Sequence, residues 1–392
     1  MNPAAEHDVV IYGATGFTGR LVVEYMAERY PAGSGVNWAM AGRSEEKLAA
    51  IRDEKGAPTE TPLIVADASS PESLAAMAQN AKCVLTTVGP YTLYGSPLVE
   101  ACVAAGADYV DLSGEVLWMR DMIESHGEAA KSSGARIVHS CGFDSIPFDL
   151  GVQYLQEEAT SRFGAPLPRV RGRMRKMLGT FSGGTAASGA ATMAAVKKDP
   201  SLFSALTNPF SLAGGFSGPQ QPPGDKIVEE DGIWLAPFVM ASINTKNIHR
   251  SNALMGHPYG EDFVYDEMTL AGPGEKGKAT AEAITEMMKS GLGGKDAPKP
   301  GEGPSKEERE AGHYDYAAIG TAPDGKTLTA AVTGDKDPGY GSTSKIISEA
   351  AICLVQECAN VDGGVYTPAA AMGAKLRTRL VANAGLTFDI ED

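Results

Sequence analysis

The chain has 392 residues, 43% of them hydrophobic, and a formal net charge of −15. That length allows two domains and a large buried core, and a mean hydropathy of −0.15 is that of an ordinary globular protein. The acidic balance argues against a nucleic-acid partner and against bulk attraction to anionic lipid. No apolar run reaches membrane-spanning length and the first residues lack a signal-peptide plan, so a cytoplasmic location is expected.

The chain opens on an apolar run, Val9-Val10-Ile11-Tyr12, that breaks into Gly13-Ala14-Thr15-Gly16-Phe17-Thr18-Gly19 and then a helix-period segment with Leu21, Val22, Tyr25 and Met26. Strand, glycine turn and helix in that order suit a dinucleotide pyrophosphate. Gly13 permits the tight turn, Gly16 lets backbone amides approach the phosphates, and Gly19 lets the helix pack close to the strand. The helix N-terminus offers unpaired N–H groups and a positive dipole end. Ala14, Thr15, Phe17 and Thr18 complete this expected cofactor loop.

Strands are expected at about 8–13, 36–42, 62–66, 82–88, 107–112 and 135–140, with helices between them at about 18–30, 44–55, 71–80, 95–106 and 116–133. This alternation implies a parallel, doubly wound Rossmann-type α/β sheet whose ligand lies beyond the carboxyl ends of the strands. The tip of the second strand reads Ala41-Gly42-Arg43-Ser44, with no acid to accept from a ribose hydroxyl. A guanidinium there pairs with a 2′-phosphate. Arg43, with Ser44 and Lys47, therefore points to NADP(H). Asp67, ending the third strand, is a candidate for the adenine amino group or for capping its own turn. Val88-Gly89-Pro90-Tyr91 closes the fourth strand where a nicotinamide ribose would lie.

From about residue 168 the strands lengthen and alternate, as in Arg169–Met177, Asp262–Leu270, His313–Thr321 and Thr327–Thr333. The last two flank Ala322-Pro323-Asp324-Gly325-Lys326, a hairpin turn. A second α/β domain with a mainly antiparallel sheet is expected. Gly214–Asp225 and Gly291–Pro304 read as loops, and Thr180–Gly189 either lines a substrate channel or turns. Lys345 to Cys358 is expected to be a helix, and Thr367-Pro368 caps another.

No tyrosine has a lysine four residues on, and no G-x-S-x-G segment occurs. The five cysteines form no C-x-x-C pair and no zinc-type Cys/His spacing, so no metal site is expected. Cys141 reads as a packed residue rather than a nucleophile. What remains for chemistry are polar residues at strand tips: Tyr91 and Tyr94, Ser113 and Glu115, Asp144 and Ser145. Each can donate a proton or hold a carbonyl, and each can also serve as a cap.

Several motifs resemble the saccharopine dehydrogenase-like oxidoreductases, most nearly the branch of mycobacterial trans-acting enoyl reductases. They are the glycine turn, Ala41-Gly42-Arg43-Ser44, Thr86–Tyr91, Asp108–Glu115 and Cys141–Pro147. Asn244-Thr245, Arg250–Leu254, Lys299–Gly301, Gly303–Ser305 and Thr367–Gly373 extend the likeness over nearly the whole chain. The resemblance implies an NADP-binding Rossmann domain over 1–145, a substrate or dimerisation domain over 146–338, and C-terminal helices over 339–392 returning to the first domain. It also implies an NADPH-dependent reductase of an enoyl or carbonyl group on a hydrophobic, polyketide- or lipid-linked substrate. The alternatives are a non-catalytic NADP(H) sensor and a saccharopine-type amino-acid dehydrogenase. The apolar insertion of some relatives is shortened to Thr280–Leu292, so peripheral contact with the inner face of the plasma membrane is the membrane association left open. Open strand edges in the second domain admit a homodimer.

Overall fold

A computed structural model describes residues 5–179, 183–289 and 302–391. The first six strands are β1 (His7–Tyr12), β2 (Trp38–Gly42), β3 (Leu63–Val65), β4 (Ala81–Thr86), β5 (Asp108–Val110) and β6 (Arg136–Val138). They form where apolar runs end in Gly, Pro or Asp, and all pair in parallel. The expected positions hold to within a few residues. Val9, Val10 and Ile11 of β1 are fully buried, each such side chain contributing about 1.5–3 kcal/mol.

The second sheet contains β7 (Arg169–Leu178), β8 (Val228–Glu230), β9 (Ile233–Pro237), β10 (Val264–Pro273), β11 (His313–Thr321) and β12 (Thr327–Gly334). Two late strands, β13 (Gly364–Tyr366) and β14 (Leu386–Glu391), complete the count. The first sheet runs β13-β6-β5-β4-β1-β2-β3 and the second β14-β12-β11-β7-β10-β9-β8. Among the described residues, β7 and β10 are the one parallel pair of the second sheet; its other pairs are antiparallel. The hairpin turn forms as expected, with Gly325 at φ +85° and Ala322 N–H donating to Lys326 O at 2.8 Å.

In the first sheet the strand order reverses between β1 and β4, which opens a crevice at their carboxyl ends. The helix Thr343–Glu357 covers one face, packing on β1, β4 and β5 through Ile346, Ile347, Ala350 and Leu354. The helix Ile146–Phe163 leads from the β6 loop to the second sheet and packs on β11 and β12. It comes so near that a Cβ on Gly151 would lie 2.9 Å from Val332 Cγ2. One apolar core is therefore continuous from β1 to Tyr316 and Val332, while a second lies on the other face of the first sheet. The segment 339–392 contributes β13 to the first sheet and β14 to the second.

Two local expectations are corrected. The glycine-rich stretch beginning at Thr180 is a helix from Gly183 to Lys198 rather than a turn, Thr180 to Ser182 lying outside the described residues. Thr367 occupies the cap position, but its hydroxyl meets Ser251 Oγ at 2.6 Å, and Asp149 Oδ2 takes the Ala369 N–H at 2.9 Å instead. A tertiary carboxylate thus replaces the expected local cap. Most of Gly291–Pro304, with the Lys299–Gly301 motif, lies outside the described residues.

Candidate functional site

The glycine turn closes tightly over the end of β1. Gly13 has φ +91°, and a Cβ there would lie 2.7 Å from Val88 Cγ2 and 2.9 Å from Thr87 Oγ1. A Cβ on Gly19 would overlap the Gly13 carbonyl oxygen, so the helix Phe17–Arg29 rests directly on the turn. The amides of Gly13 and Ala14 donate to Ala41 O, tying the turn to β2, and Ala14 is buried. Gly16 is exposed and caps the helix with no side-chain hydrogen bond. The first-turn amides are thus left for an anion. Thr15 O accepts from Arg20 Nε at 3.1 Å. Phe17 meets residues from far along the chain: Tyr340 edge-on at 5.1 Å, and a Cβ on Gly303 would overlap its ring.

At the tip of β2, Arg43 is exposed and makes no ion pair among the described residues. Ser44 caps the helix Glu45–Glu54, its Oγ accepting from Lys47 N at 3.3 Å, and the Lys47 side chain is exposed. Asp67 accepts from Ser69 N at 2.8 Å and Ser69 Oγ at 2.7 Å. Those bonds hold its carboxyl below the usual range, with Arg43 helping. Of its two expected roles, Asp67 takes the turn cap. Tyr12 is pushed up to about 12 by burial and by Asp67, with Arg43 opposing, so the three share one corner of the crevice.

The tips of β4, β5 and β6 form a dense polar crest. Val88 N donates to Thr86 Oγ1 at 3.2 Å, and the Gly89–Pro90 peptide is cis. Tyr91 is buried and stacks on Trp118 at 5.3 Å. Its hydroxyl accepts from Leu112 N at 3.0 Å and donates to Thr86 O at 3.4 Å. Burial pushes that phenol well above its ordinary value, Asp111 adding to the effect. Tyr91 thereby pins β4 to β5. Tyr94, at the far end of the short helix Tyr91–Tyr94, is 45% exposed.

Glu115 is buried, and its oxygens accept from Tyr91 N (2.8 Å), Thr92 N (2.8 Å), Thr92 Oγ1 and Ser188 Oγ (2.7 Å). It is the N-terminal cap of that short helix, supplied from another loop. Ser113 Oγ accepts from Glu115 N at 3.2 Å.

Asp144 differs from these. It is half-buried at the β6 loop and no hydrogen bond occupies its carboxylate among the described residues. Burial, and then the charge of Asp111, raise it to about 7. A carboxyl that titrates near neutrality beside a ligand crevice has the properties of a general acid. Cys141 is buried, its Sγ 3.5 Å from Val138 O and its thiol pushed up by burial, which suits packing.

Sequence reading missed the residues that hold this crest together. Asp111 accepts from Tyr109 Oη (2.9 Å), Ser113 N (2.9 Å) and Ser140 N (2.9 Å), and meets His139 Nδ1 at 2.7 Å. Ser140 takes φ +60°, a left-handed conformation that costs a non-glycine residue energy and is concentrated at functional sites. Asn244 and Asn247 on the helix Ala241–Leu254 bond Ser145 Oγ at 3.1 and 2.6 Å. Asn244 Nδ2 also donates to Glu267 Oε1 at 2.9 Å. The signals for these were the Asp108–Glu115 and Asn244-Thr245 likenesses, which carry no role by themselves.

Comparison with known proteins agrees with this geometry. Residues 9–138 match the saccharopine dehydrogenase NADP-binding domain. A Mycobacterium tuberculosis relative, provisionally named a trans-acting enoyl reductase, is 40% identical over 404 residues, 96% of each chain. A trans-acting enoyl reductase of Mycobacterium ulcerans is 37% identical over 403 residues, again 96% of each. In fold, the chain is similar to the apo saccharopine dehydrogenase of Saccharomyces cerevisiae, with a TM-score of 0.54 at 14% identity over 98% of this chain and 99% of that one. The chain is an NADP-dependent oxidoreductase and belongs to the saccharopine dehydrogenase-like family, in the branch of the trans-acting enoyl reductases.

Proposed function

We propose that this protein saturates the carbon–carbon double bond of an enoyl thioester on a hydrophobic, lipid-type acyl chain. When bound, NADPH supplies the hydride. The amides following Gly16 hold its pyrophosphate, and the Arg43 guanidinium pairs with its 2′-phosphate. Asp144 holds the proton that the substrate carbon next to the carbonyl requires. Asp111 fixes the β5 and β6 tips that position Asp144, while Tyr91 and Glu115 hold the wall beside them as positioning residues. The single observation that carries the reading is Asp144: a half-buried carboxyl raised to about 7, its oxygens unspent, on the same crest as the glycine turn.

Exposed Leu93 (62%), Tyr94 (45%) and Met193 (65%), on two helices that pack together, favour an apolar acyl chain over a multi-carboxylate amino acid. They also favour work at the inner face of the plasma membrane, without a span: no described helix is long and apolar enough to cross one. The free edges of β8 and β14 are the surfaces through which two copies would pair. The test is NADPH oxidation with enoyl thioesters of increasing chain length, the saturated product being identified by mass. A wild-type protein that binds NADPH but reduces none of them refutes the proposal.

A further inference from the structure

Lys246 is the buried group that this arrangement leaves unexplained. It lies in the helix Ala241–Leu254, is 3% exposed, and its Nζ makes one hydrogen bond, to Ser242 O at 2.7 Å. An ammonium has three donors, and among the described residues no carboxylate pairs with this one. A lysine at a helix surface ordinarily extends to water. Here the neighbouring positions are covered: His249 lies against Phe210 at 4.5 Å, and Arg250 donates to Leu212 O and Val365 O at 2.6 Å each. An ammonium removed from water without a counter-charge is costly, and burial lowers this one to about 8, so it remains cationic at neutral pH.

The same helical turns touch the candidate site. A Cβ on Gly114 would lie 2.6 Å from Ile243 Cδ1, so this helix meets the β5 loop directly. Asn244 and Asn247 hold Ser145, the residue after Asp144. Helical side chains lean toward the N-terminus. The Lys246 ammonium is tied back to Ser242 O, the residue before Ile243, whose side chain is the one against the β5 loop.

We propose that Lys246 is a catalytic residue that takes up the negative charge developing on the substrate's thioester carbonyl oxygen. The proposal rests on the enoyl-reductase reading above. Hydride addition forms a C–H bond at the β carbon and oxidises NADPH to NADP+. The π pair of the double bond moves toward the carbonyl, leaving an enolate oxygen that the ammonium stabilises. As the carbonyl reforms, the α carbon takes a proton from Asp144, which water then reprotonates. A preorganised cation in a dry site is worth more to such a charge than one in water.

Two substitutions separate charge from packing: Lys246→Met removes the charge at similar length, and Lys246→Arg keeps it. With NADPH and an enoyl thioester, Lys246→Met is expected to lose about 100-fold or more in kcat. Its KM should change only a few-fold, its NADPH affinity by fluorescence titration should not change, and Lys246→Arg should recover part of the rate. In cofactor-free protein, a 3-oxoacyl thioester should show the ultraviolet absorbance of its enolate with wild type and Lys246→Arg, and not with Lys246→Met. A fully active Lys246→Met, or a wild type without that enolate signal, overturns the role of Lys246 and leaves the enoyl-reductase reading standing. A wild type that oxidises NADPH with no enoyl thioester removes that reading, and the role of Lys246 with it. The absence of a wild-type enolate signal overturns the role even if Lys246→Met does not fold.

Discussion

A methyl group at position 19 would overlap the Gly13 carbonyl oxygen, whereas one at Gly33, also a turn glycine, would meet nothing within 4 Å. The two sites separate crowding from backbone strain. Gly19→Ala is expected to destabilise by about 1–3 kcal/mol through overpacking and to weaken NADPH binding. Gly33→Ala, at φ +83°, should cost about 1–2 kcal/mol and leave binding untouched. Thermal melts and cofactor titration on both variants check this. Among the described residues the Arg43 guanidinium on the same crevice makes no ion pair, and a charge-assisted bond contributes about 1.5–3 kcal/mol. Arg43→Ala should therefore weaken NADPH by roughly 10- to 100-fold and leave NADH unchanged; equal losses with both would remove the 2′-phosphate assignment. Gly19 and Arg43 stood out in the sequence because turn glycines and a charge at a strand tip can be read locally. Asp111 and Asn244 were not, because their importance lies in partners far along the chain.

At the scale of elements, the short helix Tyr91–Tyr94 is held by a carboxylate 24 residues away rather than by its own cap. Glu115→Ala would leave the Tyr91 and Thr92 amides without partners, and losing a cap costs about 0.5–2 kcal/mol. Glu115→Gln keeps acceptor capacity and should retain most of the stability. If Glu115 positions rather than reacts, both variants lower kcat in proportion to the disorder of this turn, seen as faster amide exchange at Tyr91 and Thr92. A Glu115→Gln that is folded, ordered and inactive would instead make it a proton donor. The first six strands were readable because each lies in a nearly uninterrupted apolar stretch ended by a breaker and alternates with a helix. β13, β8 and β9 were not: they are three to five residues long, stand outside that strand–helix alternation, and are fixed by the neighbours they pair with. The helix Gly183–Lys198 was hidden by its glycines, which favour turns locally, whereas its alanines and Met193 sustain the helix.

At the scale of the whole molecule, the β6 loop, the helix after it and the second sheet bury carboxyls that prefer to be neutral, and this sets how stability follows pH. Burial raises Asp149 and Asp144 to about 7 and Glu267 to about 8, against ordinary values of 3.8, 3.8 and 4.5. An acid whose folded value is raised binds its proton in the native state after the unfolded chain has released it. Stability from such a group is full below the unfolded value and falls as pH rises toward the folded one. His249, lowered from 6.5 to about 3 by burial, acts in the opposite sense up to pH 6.5, where its contribution is complete. Lys246 and Arg250, lowered to about 8 and about 10, begin to add stability only above pH 8. Between pH 6.5 and 8 the raised acids are therefore unopposed by these bases, and each proton involved is worth about 1.4 kcal/mol per pH unit. Denaturant unfolding across that window should show stability falling, with the slope above pH 7 carried mainly by Glu267. Glu267→Gln preserves the bond with Asn244 and cannot ionise, so it should flatten that upper segment. Asp144→Asn should stabilise at pH 7 and above while lowering kcat by about 100- to 10,000-fold, the signature of a carboxyl retained for chemistry. An unchanged slope in Glu267→Gln would mean that this carboxyl is ionised in the folded state, and that the junction between the two sheets rests on a buried anion.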